Sequence, residues 1–107
     1  MFLGRVTGHV VATQKDRSLG GQKLLVVEPL NVTYDPSSKQ PASLGNTGRA
    51  IVALDTVGAG EGQLVLVVQG SSARMTEQTK NLPADAVIVG IVDSAEYAGK
   101  TFYHARG

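Results

Sequence analysis

Residues Asp55–Arg74 read DTVGAGEGQLVLVVQGSSAR. Three glycines at alternate positions, Gly58, Gly60 and Gly62, lead into an apolar run, and a further glycine at Gly70 ends it. Gly-rich loops beside apolar strands often cradle phosphates, but that use needs strand, then glycines, then a helix whose N-terminus meets the anion. Here the glycines are followed at once by another strand signal, Gln63–Gln69, and Glu61 puts a negative charge where the phosphate would sit. The spacing is also Gly-x-Gly-x-Gly and not the dinucleotide fingerprint. The better reading is a tight strand-to-strand connection whose backbone needs positive φ or close approach to a neighbour.

Outward from this stretch, strand signals dominate. Phe2–Thr13, Lys23–Leu30, Arg49–Val57 and Ala86–Asp93 are short apolar runs bounded by Gly, Pro, Asn or Ser. Glu96-Tyr97 and Thr101–His104 flank Ala98-Gly99-Lys100, a hairpin signal. One short helix fits Ser72–Lys80, with Ser71 or Ser72 as N-cap and Pro83 barring continuation. Asn31–Gly48 is polar and rich in Pro, Ser and Gly, and reads as a long loop. The expected fold is mainly β: a small closed antiparallel β-barrel of the oligonucleotide/oligosaccharide-binding type, with one short α-helix, as a single domain over residues 1–107.

Composition narrows the partners. The chain has 107 residues, 42% hydrophobic and only 18% charged, with net charge +1 and no cysteine. A disulfide scaffold and a thiolate metal site are excluded, and no field attracts nucleic acid or anionic lipid. Arg5 and Gly4 break the start where a signal peptide would continue its apolar run, and no stretch approaches the ~20 apolar residues of a membrane helix. The expected location is cytoplasmic, with neither nucleic acid nor membrane as partner.

The strands alternate poorly. Leu64–Val68 and Val87–Val92 are apolar on both faces, whereas a small barrel covers only one. No long amphipathic helix is available as a cover, so another copy of the chain is the natural one. Self-association follows from the pattern alone.

Chemistry finds no foothold. Gly70-Ser-Ser-Ala-Arg74 is not a nucleophile elbow, and nothing in the spacing gathers Ser72, Asp93 and His104 into a triad. The bland reading is a capping serine with Arg74 in an ion pair, one that a subunit boundary could hold. His9 and His104, the only histidines, lack metal-ligand spacing. Asp16, Asp35, Asp55, Asp85 and Asp93 are scattered, without a paired-carboxylate pattern. Phe2, Tyr34, Tyr97, Phe102 and Tyr103 do not interleave with a cationic stripe, as stacking platforms for single-stranded nucleic acid would. The expectation is no catalytic residue, no metal and no cofactor.

Four stretches carry a resemblance: Gly4–Thr13; Leu19 with Lys23–Glu28; Asp55–Gly60 with Val65–Arg74; and Pro83–Asp85 with Val89–Asp93. In this order and spacing, the chain resembles the bacterial microcompartment vertex proteins, the EutN/CcmL family. The resemblance implies a structural, non-enzymatic protein: a β-barrel that assembles as a homopentamer and caps the vertices of a polyhedral shell whose facets are hexamers of another fold. It also implies that Gly58, Ala59, Gly60, Glu61, Gly62, Ser71, Ser72 and Arg74 belong to a subunit interface or a pore-proximal loop. Asn31–Gly48 is longer than the usual family turn. The alternative reading is a ring-forming barrel that binds a small ligand or single-stranded nucleic acid.

Overall fold

The computed structural model describes residues 1–12, 23–70 and 85–106. The helix expected over Ser72–Lys80 lies outside them.

Eight strands follow in chain order: β1 (Phe2–Val10), β2 (Lys23–Thr33), β3 (Ser43–Asn46), β4 (Ile51–Asp55), β5 (Leu64–Gln69), β6 (Ala86–Ile91), β7 (Ser94–Tyr97) and β8 (Lys100–His104). Five of them close a barrel in the ring order β1–β5–β6–β4–β2, with β2 pairing back to β1. Counting barrel strands only, the ring runs first, fourth, fifth, third, second. This is a five-stranded closure of the expected type. Every neighbouring pair is antiparallel except β4–β6, which run parallel through Leu54↔Val87 and Asp55↔Ile88.

Strand alternation sets what lies inside. Along β2, Leu25 and Val27 point inward at 1% and 0% exposure, while Leu24, Val26 and Glu28 are less buried. Val6, Ala53, Val65, Val67, Ala86 and Ile88 complete the interior cluster, with Phe2 and Ile51 packed against it. Each fully buried Val, Leu or Ile side chain contributes about 1.5–3 kcal/mol. Room for them depends on Gly4, itself buried, because a Cβ there would run into the Cγ1 of Val27.

The outer wall is apolar too. Leu54 and Val87 form a second buried cluster, with Leu24, Val68 and Val89 packed against it. Thus Val65 and Val67 face the core, while Val87 and Val89 supply the second apolar face.

The segment expected as one long loop, Asn31–Gly48, contains strand at both of its flanks. β2 continues to Thr33, and β3 pairs with it from Leu30↔Asn46 to Thr33↔Ser43. The polar composition misled because this hairpin extends beyond the barrel, where its strands have little to bury. Side chains pin its base: Thr47 Oγ1 donates to the Pro29 carbonyl at 2.6 Å, and Glu28 Oε2 accepts from the Gly48 amide at 2.9 Å. At its tip the Asp35 carboxylate accepts from the amide and hydroxyl of Ser37, at 2.9 and 2.7 Å. The hydroxyl bond above all, with the amide bond, holds this carboxyl below the usual range.

β7 and β8 form a separate two-stranded sheet. Their turn is Ala98-Gly99, both at positive φ (54° and 77°), the backbone of a type I′ hairpin. An isolated hairpin is marginal in water. This one leans on the β2–β3 tip: the rings of Tyr34 and Tyr97 lie 4.4 Å apart, and Lys100 Nζ donates to the Lys39 carbonyl. Such ring pairs are worth about 0.5–1.5 kcal/mol beyond area burial. Tyr34→Ala is therefore expected to speed amide exchange in β7–β8 by about fivefold, leaving exchange in β1 and β5 unchanged. Equal acceleration in the barrel strands would contradict this.

Candidate functional site

The glycine loop begins where β4 ends. Asp55 is 7% exposed, the only buried charged side chain among the described residues. Its Oδ1 accepts from the Val57 amide at 3.0 Å and its Oδ2 from the Ala59 amide at 2.9 Å. An aspartate bonding backbone amides just ahead of it is a local turn former. It bends the chain so that Ala59, at 0% exposure, drops its methyl into the barrel's interior cluster. Lys23 Nζ secures the same residue by donating to the Ala59 carbonyl at 2.7 Å.

Past Ala59 the chain turns back. The Gln63 amide donates to the Gly60 carbonyl at 3.2 Å, which makes Gly60–Gln63 a β-turn. Gly62 occupies its third position at φ 88°, where a type II turn needs glycine. Gln63 Oε1 accepts from the Gly60 amide at 2.8 Å. The turn is sewn to β1: Gly62 N–H donates to the Val6 carbonyl at 2.8 Å, and Val6 N–H to the Gln63 carbonyl at 3.0 Å. Arg5 Nη1 also donates to the Gly62 carbonyl at 3.1 Å. On the solvent side His9 Nδ1 and Glu61 Oε1 lie 3.2 Å apart, both side chains more than half exposed. On the other flank Thr56 Oγ1 donates to the Ile88 carbonyl at 2.8 Å, tying the loop to β6.

This geometry decides against a phosphate cradle. The amides of Val57, Ala59, Gly60, Gly62 and Gln63 already have partners within the chain. The Asp55 carboxylate is the loop's own anion.

Gly58, Ala59, Gly60, Glu61 and Gly62, expected to share an interface or pore loop, share this one turn. Ser71, Ser72 and Arg74 lie outside the described residues. Positive φ falls at Gly58 (80°) and Gly62, not at Gly60. Crowding at Gly60 is not found within the chain, since a Cβ there would meet only Gln63 Oε1, at 3.9 Å. Sequence reasoning missed Asp55, placing it among scattered carboxylates, and gave Arg5 and Lys23 no part in the loop. The available signal was Asp55 at a strand end, followed by a small-residue run whose amides needed acceptors.

The loop is satisfied within the chain, and Leu54 and Val87 of the outer wall are already buried in the single subunit, so the cover expected there from a second copy is not needed for that pair. The family described as ethanolamine utilisation protein EutN/carboxysome matches residues 1–93, and the chain belongs to this EutN/CcmL family. It is 38% identical over 104 residues to the bacterial microcompartment shell vertex protein EutN of Salmonella typhimurium, covering 97% of this chain and 95% of that one. It is likewise 38% identical over 106 residues to the carboxysome shell vertex protein CcmL of a Synechocystis strain, covering 99% and 96%. Among solved structures, the GrpN pentameric microcompartment shell protein from Rhodospirillum rubrum superposes with a TM-score of 0.73 at 45% identity, covering 92% of this chain and all of that one.

Proposed function

We infer that the chain is a structural shell protein, five copies of which close a ring that caps a vertex of a bacterial microcompartment shell. The observation that carries this reading is the likeness, over nearly the full length of both chains, to a pentameric shell protein at 45% identity. Apolar side chains that the barrel leaves exposed, Val52 at 50% and Ile91 at 37%, support it, because obligate interfaces resemble a core cut in half. On this reading the role is architectural and not catalytic, and the ring's neighbours in the shell are hexameric facet proteins. Native mass measurement at low protein concentration tests the reading: a ring of five is expected, and a monomer would refute it.

One stretch of outer wall suits a subunit contact. Val26 pairs with Val52 across β2–β4 and with Gly8 across β1–β2. Val52 is 50% exposed. With no side chain at Gly8, the row is a shallow apolar furrow. Val52→Asp is expected to leave the barrel folded and to shift the ring toward monomer, read by native mass. A fully retained ring would place the contact elsewhere.

The glycine loop, with Ser71, Ser72 and Arg74, is proposed as a second part of the contact. Gly60→Val is the informative probe, since within the subunit a Cβ there meets only Gln63 Oε1, at 3.9 Å. The expected outcome is normal subunit folding with impaired ring closure. An intact ring of five from this variant would remove Gly60 from the interface.

A further inference from the structure

Between the rim of the barrel and the end of β8 lies a cavity of about 450 Å³. Arg5, Glu61 and Gln63 line one side, and Tyr103, His104 and Arg106 the other. Two guanidinium groups therefore flank one hollow, and among the described residues neither has a carboxylate partner within ion-pair distance. Arg5 commits one of its N–H groups, from Nη1, to the Gly62 carbonyl, leaving four of the five donors of its planar fork. The single acid of the cavity, Glu61, is engaged by His9 at 3.2 Å. His104 Nδ1 lies 2.9 Å from the Ala105 carbonyl, which can only accept, so Nδ1 carries a proton and Nε2 is the ring's remaining polar atom. The formal charge around the hollow is +1, and +2 when His104 is doubly protonated. By contrast, the cavity at the hairpin tip, lined by Tyr34, Asp35 and Ser38 among others, carries one charge, and that is negative.

We propose that the cavity bounded by Arg5, His104 and Arg106 is a binding site for a small oxyanion, a free carboxylate or phosphate. Guanidinium forks match the two oxygens of such groups, and charge-assisted hydrogen bonds of this kind are the strong ones. The Tyr103 hydroxyl and the Gln63 amide line the same hollow and add neutral donors. Glu61 sets an upper limit on affinity and favours a small anion over a bulky polyanion.

The hollow shares Glu61, Gly62 and Gln63 with the loop at the proposed ring contact, and one sample tests both readings. Calorimetric titration of the full chain uses inorganic phosphate in one arm and acetate in the other, against potassium chloride at matched ionic strength. Native mass is recorded alongside, so a failure of ring formation is seen separately from a failure to bind. Saturable binding is expected in at least one arm, and the arm that saturates names the source of the anion. Arg106→Gln is the main variant, because Arg106 is exposed and lies in no strand. It is expected to weaken binding by about tenfold or more. Arg5→Lys keeps the charge but loses the fork, and a smaller loss is expected. Lys39→Gln removes a positive charge that does not line the cavity, and unchanged affinity is expected. No saturable signal over chloride in either arm, an Arg106→Gln variant that binds like wild type, or equal weakening by Lys39→Gln would each overturn the proposal.

Discussion

Gly4→Val is expected to destabilise the barrel severely. Gly4 sits in β1 opposite Pro29 of β2 and Val65 of β5, and its missing side chain would point at Val27. A single Cβ would already press against the Val27 Cγ1 and lie 3.2 Å from the Glu28 carbonyl oxygen. Val27 is fully buried and has nowhere to retreat. Overpacking of a tight core costs about 1–3 kcal/mol, and here backbone hems in the added atoms as well. A domain with about 5–15 kcal/mol in total is left marginal or unfolded, and circular dichroism with limited proteolysis reads the outcome. Gly90→Ala is the matched control, since its Cβ would meet Leu66 at an ordinary 3.5 Å. If Gly4→Val melted cooperatively at the wild-type temperature, the packing described for β1 and β2 would be wrong.

Asp55→Ala removes both acceptors that shape the glycine loop. The Ala59 amide is buried and loses its acceptor. Hydrogen bonds to a charged acceptor are each worth about 1.5–3 kcal/mol, so a loss of about 3 kcal/mol is expected, or a fall in melting temperature of about 10–20 °C for a domain of this size. Asp55→Asn keeps one acceptor oxygen but turns an amide toward the other N–H, and most of the loss should remain. Comparisons belong at equal protein concentration, because a ring stabilises its subunits by mass action. Wild-type melting of Asp55→Ala would show that the loop is held by other means. The loop would then rest on Lys23, Gln63 and the bonds to β1.

The barrel was legible because its strands are dense in branched side chains and its turns in glycine. Each apolar run of the sequence became one strand, with ends moved by a few residues: Phe2–Thr13 shortened to Phe2–Val10, and Lys23–Leu30 lengthened to Thr33. The lengthening could not be seen because Asn31, Val32 and Thr33 bury little and pair only with β3, itself read as loop. The parallel β4–β6 pair was also hidden, since periodicity tells which face is buried but not which strand lies beside which. For the candidate site, the sequence located the turn but not its mechanism. Alternate glycines drew attention to Gly60, yet Gly58 and Gly62 carry the unusual backbone, and Asp55 organises the turn from outside it. Glycine marks where φ is free, not which φ the fold selects.

The parallel junction of β4 and β6 has a consequence for how the chain avoids polymerising. Only Leu54↔Val87 and Asp55↔Ile88 stitch it, the shortest ladder in the barrel. Were it to part, two strand edges would face outward with bare amides and carbonyls. Edges of that kind recruit further strands without limit, and contacts that do not close on themselves grow into filaments. The Thr56 hydroxyl on the Ile88 carbonyl and the buried Leu54–Val87 pair over the same two strands work as a clasp on this seam. Loosening the clasp would open two strand edges to pairing with other copies, so protection against open-ended growth rests on a joint two residues long.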